Sequence, residues 1–295
     1  MQHDVIVIGG SYAGMAAALQ LLRARRQVLV IDAGLRRNRF ASTSHGFLGQ
    51  DGTDPAEIAA TARRQLRTYP TLTWTEGEAV ALAGARDRFT VTTAAGDVHA
   101  GRRVLLATGV ADALPAVEGL AERWGRSVFH CPYCHGYEIG GGAIGVIATG
   151  PLSVHQAELL TDWGSVTLLA DGAVDLDADT RGALAARGVA VEETPIARIE
   201  GDADVRLADG RVLAFAGLFT ASRVSPSSPF ASACGCDLVE TPIGLAVRTD
   251  AAKETSVPGI HACGDLAQVP HSVSLAVGDG AMAGVFVHRS LLWPA

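Results

Sequence analysis

A short apolar run, a glycine turn, an Ala/Leu-rich helix and a second apolar run closed by an acid open this sequence, and together they leave few folds available. Val5-Ile6-Val7-Ile8 reads as a buried parallel strand. Gly9-Gly10-Ser11-Tyr12-Ala13-Gly14 follows, then a helix to about Arg25, then Val28-Leu29-Val30-Ile31 and Asp32. Gly9 permits the tight bend, and Gly14 permits close packing of helix on strand. Ser11 replaces the middle glycine of G-x-G-x-x-G with a residue still small enough for a ligand to approach. The helix start offers free N–H groups and a positive dipole end to a pyrophosphate. Asp32, 18 residues beyond Gly14, is placed to bind an adenosine ribose.

The second half repeats the plan with poorer chemistry. Ala143 to Ala148 is a strand, Thr149-Gly150-Pro151-Leu152-Ser153 a turn into a helix, and Val166 to Leu169 a strand closed by Asp171. The spacing from Ser153 to Asp171 is again 18. Ala148 and Ser153 stand where the outer glycines belong. The nearest arginine for a 2′-phosphate is Arg181, and Asp171 itself would repel one. This domain is therefore expected to bind NADPH badly, to bind NADH, or to bind no nicotinamide at all, so NAD(P)H is doubtful as a cofactor.

Other local signals fill in the order. Asp54-Pro55 starts a helix to about Arg67. A hairpin turns near Ala95-Gly96-Asp97, and a separate strand, Val104 to Ala107, ends at Thr108-Gly109. Asp209-Gly210 marks a second hairpin. Beyond it the tail has one strand, ending at Cys263, then Gly264-Asp265 and a helix from about Ser272 to Leu292. Too few strands remain for a third domain, so the tail is expected to complete the first. The fold class is then α/β: two Rossmann-like dinucleotide-binding domains, the second inserted into the first. Their bounds are 1–112 with 224–295, and 113–223. Asp265 can accept from a ribityl hydroxyl, and the helix start near Ser272 can face a flavin pyrimidine. Ala276, Gly280 and Gly284, spaced by four, read equally well as a packing stripe.

Between the halves lies Phe129-His130-Cys131-Pro132-Tyr133-Cys134-His135-Gly136. Two cysteines at this spacing can form a disulfide and open it again, and a helix N-terminus or a nearby cation lowers the pKa of the attacking thiol. The run also matches the C-x-x-C-H haem-attachment pattern, which requires an exported chain, and a zinc site would need two further ligands. A redox dithiol is the reading adopted, with His135, at its ordinary pKa of about 6.5, as proton acceptor; no metal is expected. Cys263 reads as inert packing, and Cys234 and Cys236 as loop residues without chemistry.

Composition narrows the partners. The net charge of −7 argues against nucleic acid and anionic membrane, which need a basic surface. No apolar run approaches the roughly 18 residues of a membrane span. The first residues, Met1-Gln2-His3-Asp4, lead straight into a strand without a signal-like region, so a cytoplasmic location is expected.

Taken in order, Gly9-x-Ser11-x-x-Gly14, Ala107-Thr108-Gly109, Cys131-x-x-Cys134, the second turn and Gly264-Asp265 make the whole chain resemble the low-molecular-weight thioredoxin reductases. The resemblance implies a homodimer, one FAD in the discontinuous domain and the dithiol on the inserted one. Cys134 would be the flavin-proximal thiol and Cys131 the exchanging one. His271-Ser272-Val273 falls where such reductases place an Arg-Gln-Ala segment over the flavin. The chain departs from reductases that serve thioredoxin in three ways. His135 replaces an Asp, the second turn is eroded, and no His-Arg-Arg segment follows the strand ending at Asp171. With Ser44-His45-Gly46-Phe47-Leu48-Gly49 upstream, it is more similar to the dithiol oxidase branch, which closes disulfides in gliotoxin-, holomycin- and romidepsin-type compounds. What this implies is oxidation of a small-molecule dithiol, with O2 as acceptor and H2O2 formed. The other direction, NAD(P)H-dependent reduction of a thioredoxin-like protein or small disulfide, is the alternative.

Overall fold

The apolar run at the start becomes β1 (Gln2–Ile8), in the parallel part of a mixed sheet. The structure is a computed structural model that describes residues 2–293; residues 1, 294 and 295, at the ends of the expected discontinuous domain, lie outside it. Next come α1 (Tyr12–Arg23), β2 (Val28–Asp32), α2 (Pro55–Leu66), β3 (Leu72–Glu76), β4 (Ala79–Ala85), β5 (Arg88–Thr93) and β6 (Val98–Leu106). The sheet runs β3-β2-β1-β6-β5-β4, and the late strand Ile260–Ala262 pairs in parallel with Val104–Leu106 of β6. Asp54 accepts from the Ala56 amide at 2.6 Å with Pro55 in the first turn, which starts α2.

Strand β6 corrects the sequence reading, which split it into a hairpin arm and a separate strand. Gly101-Arg102-Arg103 interrupts the apolar pattern, yet the backbone continues through it. Arg103 is wholly buried because its guanidinium is satisfied. It donates to the Ser290 carbonyl at 2.7 Å, to Ser290 Oγ at 3.1 Å and to Asp87 at 2.7 Å. One long strand thus pairs with β5 at its start and with Ile260–Ala262 at its end.

The chain divides into two compact units, Met1–Arg39 with Gly46–Ala111 and Val224–Ala295, and Phe40–His45 with Asp112–Arg223. In the second, five parallel strands lie in the order Ala190–Glu192, Ser165–Leu169, Ala143–Ile147, Gly217–Thr220 and Val128–Phe129. Helices Leu152–Leu160 and Ala178–Ala186 belong to it. So does a small antiparallel sheet of Ile196–Glu200, Asp204–Leu207 and Val212–Leu213. Among the described residues no helix is long and apolar enough to cross a membrane, and no cluster of three or more metal-ligating side chains occurs.

In the first unit the C-terminal helix Val273–Leu292 lies on α1 at backbone contact. A Cβ added at Gly280 would stand 2.1 Å from the Ala13 carbonyl oxygen, and one at Gly284 2.5 Å from that of Ala17. The spacing-four stripe is therefore a helix–helix seam. Gly284→Ala should cost about 2–3 kcal/mol, because backbone cannot yield as a side-chain tip can. Urea denaturation measures it, and an unchanged midpoint would refute the seam.

Candidate active site

The strand Val128–Phe129 delivers the chain to the Cys131–Cys134 disulfide, whose Cα atoms are 5.3 Å apart. Pro132–His135 is a single helical turn, in which the Cys134 amide donates to the Cys131 carbonyl at 3.2 Å. Neighbouring residues grip this turn. Gln156, on the helix Leu152–Leu160, donates Nε2 to the His130 carbonyl at 2.8 Å. The Trp163 ring meets Tyr133 edge-on at 5.4 Å. It also lies so near Gly136 that a Cβ there would be 2.8 Å from it.

His135 stacks on Phe129 with ring centroids 4.2 Å apart, and Phe129 leans on Phe219. Burial in this aromatic setting pushes the imidazole pKa down to about 4, and His45 pushes the same way. This corrects the expectation of an ordinary histidine, since desolvation penalises the imidazolium. His45 comes from the short segment Phe40–His45 and pairs through Nε2 with Glu138 at 3.4 Å. Sequence reading had noted the Ser44-His45-Gly46 segment only as a marker. No spacing rule links position 45 to position 135.

The other predicted residues gather around the start of α1. Gly9 has φ of +108°, and an added Cβ would stand 2.3 Å from the Ala107 carbonyl oxygen. At Gly14 a Cβ would be 1.9 Å from the Gly9 oxygen. Ser11 is the N-cap of α1 but makes no side-chain capping bond. Asp32, nearly buried, accepts from the Gly34 amide at 3.0 Å and pairs with Arg63 at 2.7 Å. Arg63 also covers the Trp74 ring at 4.5 Å. A cavity of about 280 Å³ opens here, lined by Gly10, Asp32, Arg36, Arg63, Arg64 and Arg67 among others.

Ser227 holds the next predicted pair, donating from Oγ to the Thr108 carbonyl at 2.6 Å and from its amide to that of Gly109 at 3.1 Å. Gly264 lies against Ala13 of α1, where a Cβ would be 2.6 Å away. Asp265 pairs with Arg37 at 3.1 Å, and Arg37 Nη1 is also 2.7 Å from His271 Nδ1. Ser272 accepts from the Leu275 amide at 3.1 Å, so Val273 begins the last helix. Arg37 and Arg63 escaped the sequence reading, because each acts through a partner distant in sequence.

The donor set fits a dinucleotide. A helix start without a side-chain cap suits a pyrophosphate, two carboxylates suit sugar hydroxyls, and arginines line the cavity beside Asp32. The second turn differs. Ser153 is wholly buried, and its Oγ accepts from the Thr149 amide at 2.9 Å. Thr149 Oγ1 donates to the Ala221 carbonyl at 2.7 Å. Asp171 accepts from the Ile196 amide at 2.7 Å, and Arg181 pairs with Glu193.

Comparison with known proteins agrees with this architecture. The model of the pyridine nucleotide-disulphide oxidoreductase family matches residues 3–280. Thioredoxin reductase tcpT of Claviceps purpurea is 33% identical over 98% of this chain and 94% of its own. An oxidoreductase from Agrobacterium tumefaciens, known as a crystal structure, is 54% identical, with full coverage of both chains and a TM-score of 0.98. The crystal structure of HlmI is 36% identical over 99% of this chain and 93% of its own, with a TM-score of 0.90. The chain belongs to the pyridine nucleotide-disulphide oxidoreductase family and is a thioredoxin reductase-like member of it; the family is one of flavin-dependent oxidoreductases.

The His135 environment makes a direct prediction. In the disulfide form its ring protons should titrate by NMR near pH 4. Reduction should raise that midpoint, since a thiolate beside the ring favours the imidazolium. A midpoint near 6.5 in the disulfide form would show that the ring is solvated.

Proposed function

We propose that this family member oxidises a small-molecule dithiol to a disulfide, with FAD held by the first unit and O2 as the final acceptor. The observation that carries this reading is the second turn. Its Thr149 amide is already bonded to Ser153, so that donor is not free for a nicotinamide pyrophosphate. Electrons from a substrate dithiol require no nicotinamide. The similarity to HlmI over nearly the whole chain supports the same branch. The working form in this reading is a cytoplasmic homodimer, as the resemblance to the family implies.

For FAD, the Gly9–Ser11–Gly14 turn would meet the pyrophosphate and Asp32 the adenosine ribose. Thr108 and Gly109 would border it, Asp265 after Gly264 would accept from the ribityl chain, and His271-Ser272-Val273 would border the ring. When bound, FAD supplies a two-electron acceptor that O2 reoxidises with release of H2O2.

The protein's own residues carry the exchange. A substrate thiolate attacks Cys131 Sγ, the Cys131–Cys134 bond breaks, and Cys134 leaves as a thiolate. The second substrate thiolate attacks the substrate sulfur of the mixed disulfide. Cys131 then leaves, and the product disulfide departs. Substrate has lost two electrons and two protons: the electron pair stays on the two cysteine sulfurs, one proton goes to Cys131 and the other to His135. His135, neutral at rest, takes the proton of the incoming substrate thiol, and its charge then offsets that of the Cys134 thiolate next to it in sequence.

Anaerobic stopped-flow mixing with a small dithiol should bleach the flavin absorbance, whereas NADH and NADPH should leave it largely unchanged. Cys134→Ser should lower the dithiol-driven bleach at least a hundredfold with FAD still bound. Rapid bleaching by NADPH while dithiols are inert would overturn the proposal in favour of the reductase direction.

A further inference from the structure

Lys253 and Asp279 form a buried ion pair that no step above uses. The Asp279 side chain is fully enclosed and that of Lys253 is only 14% exposed, with Nζ paired to Oδ1. Such a pair leaves an uncompensated charge in the interior if either partner is removed. Both ends are fixed. Asp279 stands on the C-terminal helix one residue before the Gly280 contact with α1. Lys253 has φ of +61°, an uncommon conformation for a residue with a side chain. Its carbonyl accepts from the Ala262 amide at 3.1 Å, and Asp250 Oδ1 gathers the amides of Ala252 and Glu254 on either side.

The second oxygen of Asp279 links this pair to the dinucleotide site. Oδ2 accepts from the Gly264 amide at 2.8 Å. Gly264, at φ of +70°, lies against Ala13 in the first turn of α1. Asp265 follows directly, and Arg37 draws on its carboxylate from the other side at 3.1 Å. The Asp279 bond opposes that pull by fixing the peptide from which Asp265 projects. Lys253 holds the Asp279 carboxylate in place through its other oxygen.

We propose that Lys253 and Asp279 are a positioning pair for the cofactor, setting the Gly264–Asp265 turn so that Asp265 is presented to the bound dinucleotide. The inference rests on the flavin reading of the first unit. Neither residue touches substrate or the dithiol.

The test strips FAD from purified protein, titrates it back by flavin fluorescence, and follows thermal unfolding of each apoprotein in parallel. Lys253→Met should weaken FAD binding about tenfold, the scale expected for a buried charge-assisted bond lost. Lys253→Arg should keep affinity near that of the parent. The double variant Lys253→Met with Asp279→Asn removes both charges and keeps an acceptor for the Gly264 amide. It should return to within about threefold of the parent, whereas Lys253→Met with Asp279→Ala should not. If every variant that folds binds FAD like the parent and only the unfolding temperature falls, the pair is structural and the proposal is wrong. If the aspartate variants do not fold, the contrast between Lys253→Met and Lys253→Arg decides, and equal affinities overturn the proposal. A parent chain that takes up no FAD overturns the flavin reading itself, a result distinct from any difference among variants.

Discussion

A backbone amide at the start of a helix has to find an acceptor, and the chemistry of this protein depends on what answers that demand in two similar turns. At α1 the N-cap Ser11 makes no side-chain bond. Steric contact of Gly9 and Gly14 with neighbouring carbonyls fixes the turn. The turn is built tightly, and in the proposed reading its amides are left to the pyrophosphate of FAD. In the second unit the buried Ser153 hydroxyl accepts the Thr149 amide, so the chain answers part of the demand itself. The helix that follows has another task. Gln156 on it holds the His130 carbonyl, and Trp163 beyond it packs against Tyr133 and Gly136. An architecture suited to a nucleotide serves here as a bed for the dithiol turn.

What could be read from the sequence was what a few adjacent residues decide. The Gly9–Gly14 turn, the Asp54-Pro55 helix start and the Asp209-Gly210 hairpin each depend on local backbone preference, and each stands in the structure. The division of β6 was misread because Arg102 and Arg103 look like a surface break. The distant Ser290 and the Asp87 carboxylate, with the Arg102 carbonyl, make burial of Arg103 acceptable. Strands β3 and β4 carried no clear apolar alternation and were not anticipated. In the site, Cys131, Cys134 and His135 announced themselves by spacing. The partners that set their behaviour, His45, Gln156 and Phe219, come from distant parts of the chain. The same holds for Arg37, Arg63 and Lys253 around the dinucleotide turn.

The dithiol shows why such partners matter for chemistry. A cysteine leaving as thiolate is helped by nearby positive charge. From Ser127 to Gly142 the sequence contains no lysine or arginine, and its one charged side chain is the acidic Glu138. The helical turn behind Cys131 spans only four residues, so its dipole is small. The histidines His130 and His135 are then the groups of this segment that can become cationic, and His135 lies within the turn itself. Burial against Phe129 holds that ring neutral while the disulfide is closed. In the proposed reaction a thiolate released at Cys134 would offset that burial penalty, coupling the charging of His135 to opening of the disulfide. Glu138, three residues on and paired with His45, places a carboxylate on the same segment. In the proposed reaction the site holds little charge at rest, and an imidazolium–thiolate pair develops only once substrate has opened the disulfide.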